Sequence, residues 1–168
     1  MMEPVYCKAC DHEIDRREKR CPHCGVLYPA NPSWNGWGVD WRTRATLAGW
    51  PLVHVSFGRD MYGHWRVAKG IIAIGQFGFG LITIAQFGVG LLFGFGQALL
   101  GMTGIAQFAI TAYFALGQIA VGNIAIGQVV LGRYGLGQVG LAEHLWSATV
   151  KDPAAVAFFK PWIAWLGF

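Results

Sequence analysis

Ile71-Ile72-Ala73-Ile74-Gly75, Gln76-Phe77-Gly78-Phe79-Gly80, Leu81-Ile82-Thr83-Ile84-Ala85 and Gln86-Phe87-Gly88-Val89-Gly90 are four successive copies of one five-residue pattern. Large and small residues alternate over three positions, and a small residue then closes the unit. Alternation with a period of two is strand chemistry. The pattern continues through Gln118-Ile119-Ala120-Val121-Gly122 and Asn123-Ile124-Ala125-Ile126-Gly127. Gln recurs at 76, 86, 97, 107, 118, 128 and 138, in steps of ten or eleven.

Units of five predict a mainly β chain whose repeat is a four-sided β-solenoid with 20–21 residues per coil. Gln76, Gln97, Gln118 and Gln138 would then stack on one corner, with Gln86, Gln107 and Gln128 on the opposite one. The extra residue in every second step recurs at one place per coil, as a corner bulge would. Leu52-Val53-His54-Val55-Ser56 and Arg66-Val67-Ala68-Lys69-Gly70, joined across Gly63, read as a more polar first coil.

The competing reading is transmembrane helices. No charged residue lies between Lys69 and Arg133, and 63 uncharged residues accommodate three spans of roughly 20 residues. Yet no polar loop interrupts residues 70–132, and 17 of the 24 glycines fall in residues 70–140 at five-residue phase. On a helix that phase scatters around the circumference and gives no consistent face. Large side chains pointing in leave walls of Ala, Gly and Thr; large side chains pointing out leave a narrow interior of small ones. Neither wall carries charge, so lipid or further copies of the chain are the expected surroundings. Coil-to-coil pairing would satisfy the backbone, as hydrocarbon demands.

Outside the repeat the composition changes. Only 13% of the chain is charged, against roughly 25% in ordinary soluble domains, and ten of the 13 Lys and Arg lie in residues 1–69. That bias places the N-terminal part on the cytoplasmic side of a membrane. Arg16, Arg17, Lys19 and Arg20 alternate with Asp11, Glu13, Asp15 and Glu18, which is a solvated loop rather than a nucleic-acid face. Met1-Met2-Glu3-Pro4 leads into polar sequence, so no signal peptide is expected.

Cys7-Lys8-Ala9-Cys10 and Cys21-Pro22-His23-Cys24-Gly25 are two C-x-x-C knuckles ten residues apart. Two residues between thiolates let one tight turn present both sulfurs to one ion, and Gly25 suits the positive φ of such a turn. Four thiolates close a tetrahedral site, so the expected ion is a structural zinc held by Cys7, Cys10, Cys21 and Cys24, supplying much of the module's folding energy. Two disulfides are the other use of four cysteines and would require export. With the ion saturated, His12 and His23 read as surface residues.

Residues 6–26 resemble the short zinc ribbons at the N-terminus of many bacterial proteins, membrane proteins among them. The repeat resembles the pentapeptide-repeat proteins, with their quadrilateral β-helix, but Ala73, Gly78, Thr83 and Gly88 stand where that pattern has Asp or Asn. Their DNA-mimic role is therefore not carried over. Pro51-Leu52-Val53-His54-Val55 followed by Ala68-Lys69-Gly70-Ile71-Ile72-Ala73-Ile74-Gly75 is similar to uncharacterised bacterial proteins over residues 43–142, a resemblance that implies no activity.

Four segments result: a zinc ribbon (1–27), a linker or approach rich in Trp and Arg (28–50), the repeat (51–142) and a C-terminal helix with a Trp-rich cap or anchor (143–168). Pro29 and Pro32 forbid regular structure around them. Asp152-Pro153 is a helix start with an N-cap and Pro at the first position, ahead of apolar Ala154–Lys160. Pro161–Phe168 reads as an interfacial anchor or a lid over the last coil. Gly135-Leu136-Gly137-Gln138-Val139-Gly140 matches G-x-G-x-x-G only as a by-product of the repeat. His54 and His64 near Asp60, and His144 beside Glu143, read as structural. No catalytic residue is assigned. The expectation is a non-enzymatic, membrane-associated scaffold or assembly protein whose partners are lipid, its own copies or a larger membrane complex, and not nucleic acid. The alternatives are a soluble self-assembling module and a multi-span helical transport component.

Overall fold

The computed structural model describes residues 4–165; Met1–Glu3 of the expected N-terminus and Leu166–Phe168 of the expected cap lie outside it. The chain is mainly β, with one short C-terminal helix. β1 (Val5–Tyr6) and β2 (Glu13–Ile14) pair antiparallel beside the cysteines. The segment expected as a linker contains β3 (Trp37–Arg42) and β4 (Thr46–Leu47). β4 forms a hairpin with β5 (Trp50–Pro51). Its two-residue turn, Ala48 at φ 52° and Gly49 at φ 81°, has the two positive φ values of a type I′ turn.

β3 lies antiparallel to β6 (Val53–Arg59), with Arg42 opposite His54 and Asp40 opposite Ser56. β6 lies parallel to the start of β7 (Val67–Trp146), pairing Val53 with Ile72 and Ser56 with Gly75. Between them the chain makes an antiparallel excursion closed by the Arg59–Trp65 bridge.

Eighty residues in one straight strand would extend roughly 260 Å. β7 instead passes beside itself every ten or eleven residues. A Cβ on Gly80 would overlap the Gly70 carbonyl oxygen, one on Gly96 that of Ala85, and one on Gly117 that of Ala106. The Phe77 and Phe87 rings stack 5.6 Å apart, and Thr103 Oγ1 donates to the Leu92 carbonyl. A shallow surface cavity is lined together by Ile74, Ile84 and Phe95 and by Gln86 and Gln97. Neighbours therefore sit at half the 20–21-residue spacing expected from the sequence. Gln86 and Gln97, assigned above to opposite corners, share one edge. Close approaches between neighbouring passes of β7 thus recur every ten or eleven residues.

The same contacts decide which residues face inward. Ala73, Gly78, Thr83, Gly94, Leu99, Gly104, Ala109, Ala115, Ala120, Ala125, Val130 and Gly135 are among the buried residues, at steps of five or six interrupted only at half-buried Gly88. Several of them form the central apolar cluster with Ala106, against which Leu145 packs. Many large residues on either side point outward: Ile84, Phe87, Phe95, Leu100, Phe108 and Ile110 are each about half exposed, while Ile124 is buried.

α1 (Pro153–Trp165) begins as the sequence predicts. Asp152 Oδ1 accepts from the Ala154 and Ala155 amides at 2.9 and 3.1 Å. The helix runs on through Pro161, further than the sequence suggests. Proline removes one intrahelical bond, and packing holds the turn beyond it: Trp162 stacks near Phe114 and Phe158, and Ile163 joins the apolar cluster around buried Phe159. Ala155 and Phe159 pack on Ile124, Ile126, Tyr134 and Leu136, covering the C-terminal part of one β7 face. Residues 70–132 contain no helix, and no helix among the described residues is long and apolar enough to cross a membrane.

Candidate metal centre and neighbouring sites

The two knuckles have matching backbone geometry. In the first, the Asp11 amide donates to the Cys7 carbonyl at 2.9 Å; in the second, Gly25 donates to Cys21 at 2.9 Å. Asp11 and Gly25 each follow the second cysteine of their knuckle and take φ 53° and φ 76°. Sequence reasoning picked out Gly25 and missed Asp11, whose type is also among those that tolerate this region.

The four Sγ atoms of Cys7, Cys10, Cys21 and Cys24 lie within 4.8 Å of one another. Cys7–Cys24 is 3.6 Å and Cys10–Cys21 is 3.8 Å. A disulfide needs about 2.05 Å, and all four are free thiols. A tetrahedral ion with metal–sulfur bonds of about 2.3 Å sets its sulfurs about 3.8 Å apart. The cluster is thus compatible with a metal site.

Its electrostatics point the same way. The Cys24 amide, opposed by burial and aided by the His23 amide, pulls the Cys21 thiol down to about 6. At Cys10 the His12 amide favours the thiolate, but burial and the three neighbouring sulfurs outweigh it and push the thiol up to about 12. Four adjacent sulfurs resist ionising together unless a cation joins them. His12 and His23 stack on each other at 5.0 Å, exposed and outside the sulfur cluster. Ile14, Val26, Val5, Ala30 and Met61 pack around the cysteines. Met61 belongs to the Arg59–Trp65 excursion, where its carbonyl accepts from the Leu27 amide at 2.9 Å; the cysteine cluster is tied to that excursion at this point.

The structure separates the histidines. His54 is buried; the Lys69 amide donates to its Nδ1 at 2.8 Å, so Nε2 donates to Asp40 at 2.8 Å. Asp40 also accepts from Arg66 at 2.9 Å. The His54 hydrogen bond, opposed by burial and aided by the charge of Arg66, holds the Asp40 carboxyl below its usual range. This network, which joins β3, β6 and the start of β7, was not legible in the sequence because its members lie 12 to 26 residues apart. His64 is exposed, 3.6 Å from Asp60. His144 lies 3.2 Å from Asp152 and packs on Tyr134. Gly135–Gly140 lies inside β7, with no helix before Pro153.

Two concave surfaces accompany these sites. An apolar groove of about 680 Å³ lies under α1, between Phe114, Leu116 and Leu136 on β7 and Phe159, Trp162 and Trp165 on the helix. A second cavity, of about 630 Å³, lies at the opposite end of the repeat beside Arg42, Trp50, His54, Lys69 and Phe79. No family model, no curated protein and no solved structure matches this chain.

Proposed function

We propose that this chain is a non-enzymatic, membrane-associated scaffold: a structural zinc ribbon on the cytoplasmic side, fused to a narrow two-sided β-solenoid embedded in the bilayer. One observation carries the reading. The uncharged stretch of β7 turns many of its large apolar side chains outward, around an interior of mostly small ones. Between Lys69 and Arg133 the chain makes about six returns, which at the usual strand spacing of about 4.8 Å gives a height of about 29 Å. The hydrocarbon core of a bilayer is about 30 Å thick.

Pairing between successive returns would leave no unpaired edge within that height, the condition hydrocarbon sets for any embedded backbone. Trp37, Trp41, Trp50 and Trp65 precede the uncharged stretch, and Tyr134, Trp146 and Trp162 follow its end, as interfacial aromatics do. The excess of Lys and Arg before residue 70 supports a cytoplasmic side for the ribbon end. Zinc is the ion that best suits four thiolates at these spacings.

Fractionation followed by carbonate and high-salt washing of the membranes tests this reading. Retention until detergent is added is the expected result. Release as a large soluble particle would replace it with self-assembly, the reading favoured by the Gln edge. Two copies carry the same amide column at the same rung spacing, so each donor on one meets an acceptor on the other.

A further inference from the structure

We infer that the cavity between Arg42 and Lys69 is a binding site for the phosphate of an anionic phospholipid, with Trp50 and Phe79 receiving the apolar part next to it. The inference rests on the membrane reading above and deepens it. Arg42 ends β3 opposite His54, and the Lys69 amide holds the His54 ring, so the two cations flank one buried side chain. Asp40, the acid bonded to the buried His54 ring, is also engaged by Arg66. Among the described residues, no carboxylate lies within ion-pair distance of Arg42 or Lys69.

Two cations without an acidic partner at one mouth are complementary to a single anion. Arg binds phosphate through two parallel N–H donors, and Lys adds a point charge. The floor is aromatic: Trp50 and Phe79 meet at 5.4 Å, and Trp50 is set there by the tight turn of the β4–β5 hairpin. Gly49, in that turn, has nothing within 4 Å of where a Cβ would stand, which leaves the mouth open. The volume, about 630 Å³, is that of a small-ligand site. Position selects the lipid over a free anion. Lys69 is the last charged residue before the stretch proposed to lie in hydrocarbon, which sets the cavity at headgroup depth on the cytoplasmic side.

The test uses the full-length, metal-loaded protein in neutral detergent, given equal amounts of phosphatidylglycerol and phosphatidylcholine, with retained lipid counted by native mass spectrometry. The wild type is expected to retain phosphatidylglycerol by a factor on the order of ten. The Arg42→Gln/Lys69→Gln variant should bring the ratio close to one, and Lys151→Gln/Lys160→Gln, which removes two cations following the repeat, should leave it unchanged. A preserved ratio in the first variant, or an equal loss in the second, overturns the site. Displacement of the lipid by millimolar inorganic phosphate would show that the anion comes from solution and overturns the lipid assignment. A wild-type ratio near one in a chain that resists carbonate overturns the cavity alone, whereas release by carbonate removes the membrane reading as well.

Discussion

Leu99 and Gly104 are a steric pair: a Cβ on Gly104 would overlap the Leu99 Cδ2 methyl, and the Leu99 side chain fills that space. Gly94 stands in the same relation to the other Leu99 methyl. The largest inward residue of the central cluster is thus accommodated by the absence of side chains on the facing positions. Gly104→Ala is expected to cost about 1–3 kcal/mol by overpacking, and Leu99→Ala about 2–5 kcal/mol by leaving a void. The double variant should lose less than the sum of the two by at least about 0.5 kcal/mol. Thermal or urea unfolding of the four proteins in one detergent measures this, and strict additivity would refute the pairing.

The ten-residue return predicts which deletions the fold accepts. Removing Gln76–Ala85 joins Gly75 to Gln86 with sides, corners and Gln edge in phase. Removing Gln76–Gly80 exchanges the two sides for everything downstream. The first variant is expected to keep its strand circular dichroism and protease resistance, and the second to lose both. The reverse outcome would favour a return of twenty.

Asp152 caps α1 through its carboxylate, and the Ala155 amide first, with that of Ala154, lowers its pKa from the ordinary 3.8. A lowered carboxylate stabilises fully above its unfolded value, and that contribution is lost as pH falls through the lower folded one. Asp152→Ala should lower the protection of the first α1 amides at neutral pH. Asp152→Asn should keep most of the cap and lose the acid dependence. Hydrogen exchange of the α1 amides at pH 7 and pH 3 distinguishes the three proteins.

The ribbon core and the central β7 cluster share no residue. Cys21→Ser is therefore expected to abolish stoichiometric zinc while leaving the β7 strand signal in place. Metal analysis alongside circular dichroism checks both halves. Four thiols that react freely in the untreated wild type would argue against a bound ion.

What the sequence made legible was whatever is local. Two C-x-x-C knuckles, the Asp152-Pro153 helix start and the strand character of residues 71–142 all depend on spacings of a few residues. The spacing between neighbouring passes does not: ten and twenty are both multiples of five, and close approaches such as those of Gly80 to Gly70 and of Gly96 to Ala85 distinguish them. Alternation of Ile72, Ala73 and Ile74 likewise gives two faces without saying which is the interior. In the structure Ala73 is the buried one of the three. The His54–Asp40–Arg66 network and the Arg42–Lys69 cavity arise where β3 meets β6, a pairing that no local pattern announced.

An interior one residue deep per side alters the usual economy of folding. Most globular chains hide their oily groups from their surroundings; here many of them form the outer coat. On the proposed membrane reading the medium would supply the other half of their packing, and stability would be a property of chain and environment together. Stripped of that medium, such a molecule is expected to fail first by clumping while still folded, and the solvent in which it is kept would then matter more to its survival than its melting temperature.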